Sequence, residues 1–380
     1  MSAVTVARRD VLRFRFRRHQ LDRPQGSASS ATDVDLLDMG VQDTGPDGAA
    51  WALHVRGAPA DTKGALVLAW TLRGAPHAYR RTDIRAVAVA TAPYSDADAA
   101  KRIYDASKPL RAADIAPLDA LRVVADQMRE IVTTPTVKGD LSGALTDVLD
   151  EPYLRSCTPC HAVHAYEMPF RLAALQAGLE LEPDTSPPVL RRIKGMRAPR
   201  YGHLADEADP RFDVVRNHLR FYGPTGVTDV ATFLDAPKAD VTAHWPDDVV
   251  EVTVDGATRS LLAADADELG DDGDDGGHGT GPTLRLLGPF DPYLQLRDRE
   301  VLVTDAAHRK DLWRTLGRPG AIVVDGEVLG TWRPRTSGKR LTVATEPWRR
   351  LRRGEAGLID EQAERLAAHR GVTLAGVVRS

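Results

Sequence analysis

Cysteine is scarce in this chain: Cys157 and Cys160 are the two thiols in 380 residues, too few for the disulfide framework that holds small secreted domains. No apolar run approaches the roughly eighteen residues that a membrane helix needs. The arginine-rich start has no apolar stretch behind it of the kind that marks an export signal. These absences predict a cytoplasmic protein with no membrane span. An apolar share of 42% with 27% charged residues excludes wholesale disorder. At roughly 150 residues per domain, the length predicts two or three domains, or more if they are small modules.

Excess positive charge is also missing, since the formal net charge is −4. Its distribution changes the meaning of that figure. Seven acids between Asp265 and Asp275 fall in a stretch without lysine or arginine, and without them the chain is mildly basic. Arginines gather around Arg8 to Arg23, Arg191 to Arg200 and Arg333 to Arg353, where they can contact phosphates and release counterions. Solvated faces are the plainer alternative for each cluster.

Hydrophobic periodicity gives the organisation. Arg13-Phe-Arg-Phe-Arg17 alternates like a strand but can equally open a helix. Thr32 or Asp33 is expected to cap a helix carrying Val34, Leu37 and Met39, and Gly64 to Leu72, apolar almost all round, reads as a buried helix. Three helices are expected next: one opened by Pro117, one over Lys138 to Leu149, and one over Cys157 to Leu179 with Gly178 as C-cap. Val214 to Phe221, Val230 to Leu234 behind Thr228, and Lys238 to Trp245 read as three further helices. They are followed by a hairpin, Val249 to Val254 and Arg259 to Leu262, about Asp255-Gly256. Three helices and a hairpin make a winged helix, although Lys238 and His244 give its third helix little charge for reading bases. Asp265 to Gly281 reads as a flexible linker. Beyond it Val301 to Val303, Ala321 to Val324, Val328 to Trp332 and Leu341 to Ala344 read as strands, and Asp360 to His369 as a helix stopped by Gly371. The fold class expected is α+β: tandem winged-helix modules with a C-terminal β-rich, barrel-like domain. The expected units are 1–95, 96–200 and 205–264, an acidic linker at 265–282, a β-rich domain at 283–350 and a helical tail at 351–380.

The chemistry-bearing stretch is Gly40-Val-Gln-Asp-Thr44, where Gln42 and Asp43 stand between an apolar segment and a Pro/Gly turn. Asp43 can act as a base with Gln42 orienting a water, or it can merely cap the turn. No lysine lies beside this segment, so a Schiff-base lyase has no evident nucleophile. His77, after a Gly-Ala-Pro turn, and Arg73 can touch a phosphate; the simpler role for His77 is to fix its loop. Cys157-Thr-Pro-Cys160-His161 has the spacing of covalent haem attachment, which the lack of an export signal argues against. Cys157, Cys160 and His164 allow a zinc site, but buried thiols are the ordinary reading, so no metal or other cofactor is expected. Trp245, Trp313, Trp332 and Trp348 read as core anchors.

Taken in order, several stretches resemble a bacterial family: Gly40 to Thr44, Trp70-Thr-Leu-Arg-Gly-Ala-Pro-His77, Lys138-Gly-Asp-Leu-Ser142, the Gly223-Pro-Thr turn, Phe290-Asp-Pro-Tyr293 and Gly330-Thr-Trp-Arg333. It is the family of winged helix DNA-binding domain proteins whose characterised members are DNA glycosylases for alkylated bases and interstrand crosslinks. The likeness runs from about Arg13 to Trp348, with the acidic linker outside it. It implies a C-shaped protein with a basic channel for double-stranded DNA; a nucleoid-associated monomer is expected. It also implies a Gln-apolar-Gln or Gln-apolar-Asp segment that holds the attacking water. If Gln42 takes the second polar position, the first falls on Gly40; if Asp43 takes it, the first falls on Val41. The expected DNA contacts are Arg13, Arg15, Arg17, Arg73, His77, Arg192, Lys194 and Arg333. The alternatives are a non-catalytic DNA-binding or regulatory protein on the same frame, and a scaffold whose winged helices contact proteins.

Overall fold

Residues 4–45, 47–60, 62, 64–158, 161–196, 208–270 and 281–380 are described by the computed structural model, a mixed α and β chain. Arg197, Arg200, Cys160 and the acids from Asp271 to Asp275 lie outside the described residues. The Arg13 to Arg17 stretch is part of a helix, Arg8–Arg18. Burial decides the ambiguity, because Val11, Leu12, Phe14 and Phe16 all face the interior and a helix lets each of them do so.

Two expected helices are absent. The segment with Val34, Leu37 and Met39 forms two short 3₁₀ turns, Ala31–Asp33 and Asp35–Asp38. The first is capped by Ser30, two or three residues before the expected cap: its hydroxyl accepts from the Thr32 N–H at 3.2 Å, and Asp33 accepts from the Ser30 N–H at 2.8 Å. Leu66–Trp70 is a strand, antiparallel to Pro76–Arg80, with Ala69 opposite His77. A short run that is apolar on every side carries no period, so helix and buried strand look alike in the sequence. The strand sits inside a six-stranded sheet whose order is Val41–Gln42, Pro76–Arg80, Leu66–Trp70, Leu179–Leu181, Val189–Arg192 and Thr136–Val137.

The helices Pro117–Ile131 and Lys138–Val148 stand where their spacing put them. The expected helix from Cys157 to Leu179 is in fact a hairpin, Leu154–Cys157 with Ala162–Ala165, followed by the helix Glu167–Gln176. Helices Val214–Tyr222, Val227–Leu234 and Lys238–Ala243 then precede the antiparallel strands Val249–Val254 and Ala257–Leu262. Val4–Val6 adds a parallel strand beside Val249–Val254. The start of the expected linker is ordered: Ala263–Asp265 and Ala266–Gly270 are helical, and Arg18 pairs with both Asp265 and Glu268.

The C-terminal part is a five-stranded sheet of Leu284–Leu287, Gly320–Val324, Glu327–Ser337, Arg340–Pro347 and Thr373–Arg379. Its last two strands run parallel, which requires a crossover, and the Glu355–His369 helix supplies it. The expected strand at Val301 to Val303 is a helix, Arg299–Leu302, whose end is held by Arg8 donating to the carbonyls of Val301 at 2.6 Å and Leu302 at 3.0 Å. Trp313 and Trp332 are buried anchors, each donating its indole N–H to a backbone carbonyl, Leu294 and Leu287.

Buried residues of the N-terminal segment, the 214–262 region and the C-terminal sheet form one contiguous core, while the 99–190 helices enclose a second. The first core contains a fully enclosed ion pair. Arg56 and Asp291 both have 0% side-chain exposure and meet through two bonds, 2.8 and 2.7 Å. The guanidinium also donates to the carbonyls of His19 and Ala52. Removing one partner strands a charge in an interior that cannot hydrate it. Arg56→Ala or Asp291→Ala should therefore lower stability by about 3–5 kcal/mol in denaturant unfolding, and an unfolding midpoint equal to that of the unaltered chain would contradict this role.

Candidate active site

Gly40, Val41, Gln42, Asp43 and Thr44 occupy the edge of the six-stranded sheet, with Val41 opposite Ala78 and Gln42 opposite His77. Both expected first positions fail on packing grounds. Gly40 has φ +95°, and a Cβ there would lie 2.5 Å from the Tyr79 ring and hydroxyl. Val41 is wholly buried. The extended backbone then sends alternate side chains to opposite sides. Gln42 and Thr44 line one cleft, and Gln42 Nε2 donates to Thr44 Oγ1 at 3.0 Å. Asp43 lines a different cleft, with Asp184 among its walls.

The fixed geometry of Asp43 comes from the helix that follows. Its Oδ1 accepts the Ala49 N–H at 2.8 Å, satisfying a donor in the first turn of Gly48–His54. Burial raises the Asp43 carboxyl above its ordinary value, a trend that the Ala49 bond opposes and the Asp184 charge reinforces. Thus the polar pair that shares a cleft is Gln42 with Thr44. Thr44 was missed because the sequence reading placed the two polar positions at or before Asp43; the i, i+2 alternation of a strand is the signal that finds it.

The Gln42 and Thr44 cleft measures about 620 Å³ including its open mouth. Trp51, Phe290, Trp332 and Arg333 contribute to its walls. Three stretches distant in sequence, at 40–44, 290–293 and 330–333, therefore meet at one place. Trp51 donates its indole N–H to Leu286, which fixes the short helix on the C-terminal sheet. Asp47, before that helix, pairs with Arg370 at the end of the Glu355–His369 helix. The terminal helix thereby braces the turn beside the site.

The expected DNA contacts fare unequally. Arg15 is an interior residue, 2% exposed, paired with Asp298 at 2.6 Å and donating to the carbonyls of Gly223 and Pro224. It is unavailable to DNA, because its neighbours Phe14 and Phe16 pull that part of the helix into the core. His77 is likewise interior, at 3% exposure: its Nδ1 lies 2.9 Å from the Ala75 carbonyl and 3.1 Å from Thr71 Oγ1. Burial and the Arg73 charge hold its imidazole down to about 3, so it is neutral and fixes its loop. Arg192 spends its guanidinium on the Val132 and Arg129 carbonyls, and Arg17 donates to the Glu268 carbonyl. Arg13 is half-buried and Lys194 exposed. Arg333 stands at the cleft, near Asp311 at 3.5 Å and Glu346 at 3.6 Å. Arg73 lies against the Phe233 ring, 4.6 Å from its centroid, and donates to the Phe233 carbonyl. Of the suggested zinc ligands, Cys157 and His164 occupy the two strands of one hairpin, opposite Ala162 and Arg155 respectively, and Cys160 lies outside the described residues.

An α and β frame that gathers these three stretches around one polar pair defines a class of protein. The family model described as DNA glycosylase AlkZ-like matches residues 36–369, and the chain belongs to that family. Among solved structures, Streptomyces sahachiroi DNA glycosylase AlkZ superposes with a TM-score of 0.71 at 20% identity, covering 99% of this chain and 100% of that one; at such identity the likeness is one of fold. Comparison with curated protein sequences returns no match.

The packing of Gly40 against Tyr79 sets the level of the strand that carries the pair. Gly40→Ala combines a positive φ with a clash, so it should cost about 1–3 kcal/mol. Thermal unfolding checks this, and a melting temperature matching that of the unaltered chain would show that the approach to Tyr79 imposes no constraint.

Proposed function

We propose that this chain is a monofunctional DNA glycosylase that binds double-stranded DNA through tandem winged-helix modules and releases an alkylated base by water attack. The observation that carries the reading is the cleft in which Gln42 and Thr44 face the 290–293 and 330–333 stretches. An N7-alkylated purine carries positive charge and leaves readily, through an oxocarbenium-like sugar. Little is then asked of the protein beyond holding a water. In this reading Gln42 Oε1 accepts from the water and the Thr44 hydroxyl shares in orienting it. The water oxygen bonds to C1′, the bond from C1′ to the base nitrogen breaks, the electron pair neutralises the departing base, and a proton passes to solvent. Asp43 acts as a positioning residue: by capping the Gly48–His54 helix it fixes the strand end from which Gln42 and Thr44 project.

A second reading rests on one specific feature. Thr44 offers a hydroxyl where the family resemblance implies a second glutamine or an aspartate, which favours a protein that binds DNA without cutting the glycosidic bond. One assay separates the two. Release of 7-methylguanine from alkylated duplex DNA should fall about 100-fold in Gln42→Ala and Thr44→Ala, within the usual range for losing a group that positions or stabilises the reacting atoms. Asp43→Asn should keep most of the activity, because the amide oxygen can still accept the Ala49 N–H. Duplex binding without any base release by the unaltered chain would establish the non-catalytic reading instead.

A further inference from the structure

We propose that Arg73, Arg297, Arg299 and Arg318, brought together from separate parts of the chain, form a track that grips successive phosphates of one DNA strand and leads it to the Gln42 and Thr44 cleft. The inference rests on reading that cleft as a DNA site. Arg73 and Arg297 line one cleft, Arg297 and Arg299 line the next, and Arg318 lines the cleft that holds Gln42. Arg297 is thus common to the first two, and Arg318 stands at the third.

Most buried arginines of this protein are neutralised, as Arg15 by Asp298, Arg56 by Asp291 and Arg102 by Asp98. The four of the track make no ion pair among the described residues. Three of them rest on aromatic rings instead: Arg73 at 4.6 Å from the Phe233 centroid, Arg299 at 4.9 Å from that of Trp313 and Arg318 at 4.9 Å from that of Phe290. A ring face holds a guanidinium plane in place without cancelling its charge. In Arg297, Arg299 and Arg318 the buried Nε meets no hydrogen-bond partner among the described residues. Burial, with the charge of Arg297, holds Arg73 and Arg299 down to about 10, and Arg318 is lowered for the same two reasons. Asp235 in the Arg73 and Arg297 cleft offsets part of their charge without an ion pair among the described residues; half-buried cations held in this way are costly in the free protein, and a run of phosphodiesters relieves that cost. Beyond Arg73 the sequence conceals the track, because its members are scattered over 73–318 and outside the three arginine clusters.

The salt dependence of binding to unmodified duplex DNA tests this. Each phosphate contact contributes about 0.9 to the slope of log affinity against log salt. Arg297→Gln and Arg318→Gln should each lower that slope by about one contact's worth, whereas Arg297→Lys, which retains the charge, should keep the slope. Arg122→Gln, at an exposed arginine already paired with Asp119, should also leave it unchanged. If Arg297→Gln fails to fold, Arg318→Gln carries the test, since Leu316 and Gly317 beside it are exposed loop residues. An unchanged slope in a folded Arg318→Gln would overturn the proposal. Base release by the unaltered chain with such a slope would sink the track and leave the glycosylase reading standing. A reduced slope without base release by the unaltered chain would do the reverse.

Discussion

The enclosed pair of Arg56 and Asp291 is the constraint on which the rest of the arrangement depends. It ties the end of the Gly48–His54 helix to the turn Pro292–Leu294, across 235 residues of sequence. Asp291 also accepts the Tyr293 N–H at 2.9 Å, so one carboxylate both closes this long-range link and shapes the turn next to Phe290. A buried ion pair is a poor source of net stability compared with apolar packing, but it is selective about geometry, because a misplaced partner leaves an unsatisfied charge. That selectivity sets the 290–293 stretch across the cleft from Gln42 and Thr44.

From this fixed point the site follows by strand geometry. Side chains of consecutive residues diverge, so Gln42 and Thr44 turn to one cleft and Asp43 to the adjoining one, which shares Gly45, Asp47 and Arg370 with it. Asp43 gains a different task, holding the first turn of the neighbouring helix. The chain then carries two neutral groups where a carboxylate was expected. That suits a substrate whose leaving group is already charged, for which a strong base has little to add.

Much of the frame was legible in the sequence, and the reasons are local. The Pro117–Ile131 and Val214–Tyr222 helices have long, one-sided apolar patterns, and Asp255-Gly256 and Asp325-Gly326 mark hairpins whose strands do pair. Short apolar runs were not legible: Leu66–Trp70, expected within a helix, is a strand, and Val301 to Val303, expected as a strand, closes the helix Arg299–Leu302, because three to five apolar residues show no period. The site stretch itself was located, but its register was not, since only the contact of Gly40 with Tyr79 and the capping bond of Asp43 decide which side chains share a cleft. Charge misled most. Arg15 reads as a surface cation in an arginine-rich run and is a core residue, while Arg297 and Arg318 attract no notice in sequence and stand beside the clefts without an ion pair among the described residues.

The central claim, that Gln42 and Thr44 act as one unit on one water while Asp43 acts through structure, is most directly tested by a double-mutant cycle on single-turnover base release. Groups that hold the same water are not additive, so Gln42→Ala with Thr44→Ala should be no slower than the worse single variant by more than a small factor. Gln42→Ala with Asp43→Asn should be no slower than Gln42→Ala alone. Full additivity within the first pair, together with abolition of release by Asp43→Asn, would contradict the account and return the chemistry to the carboxylate.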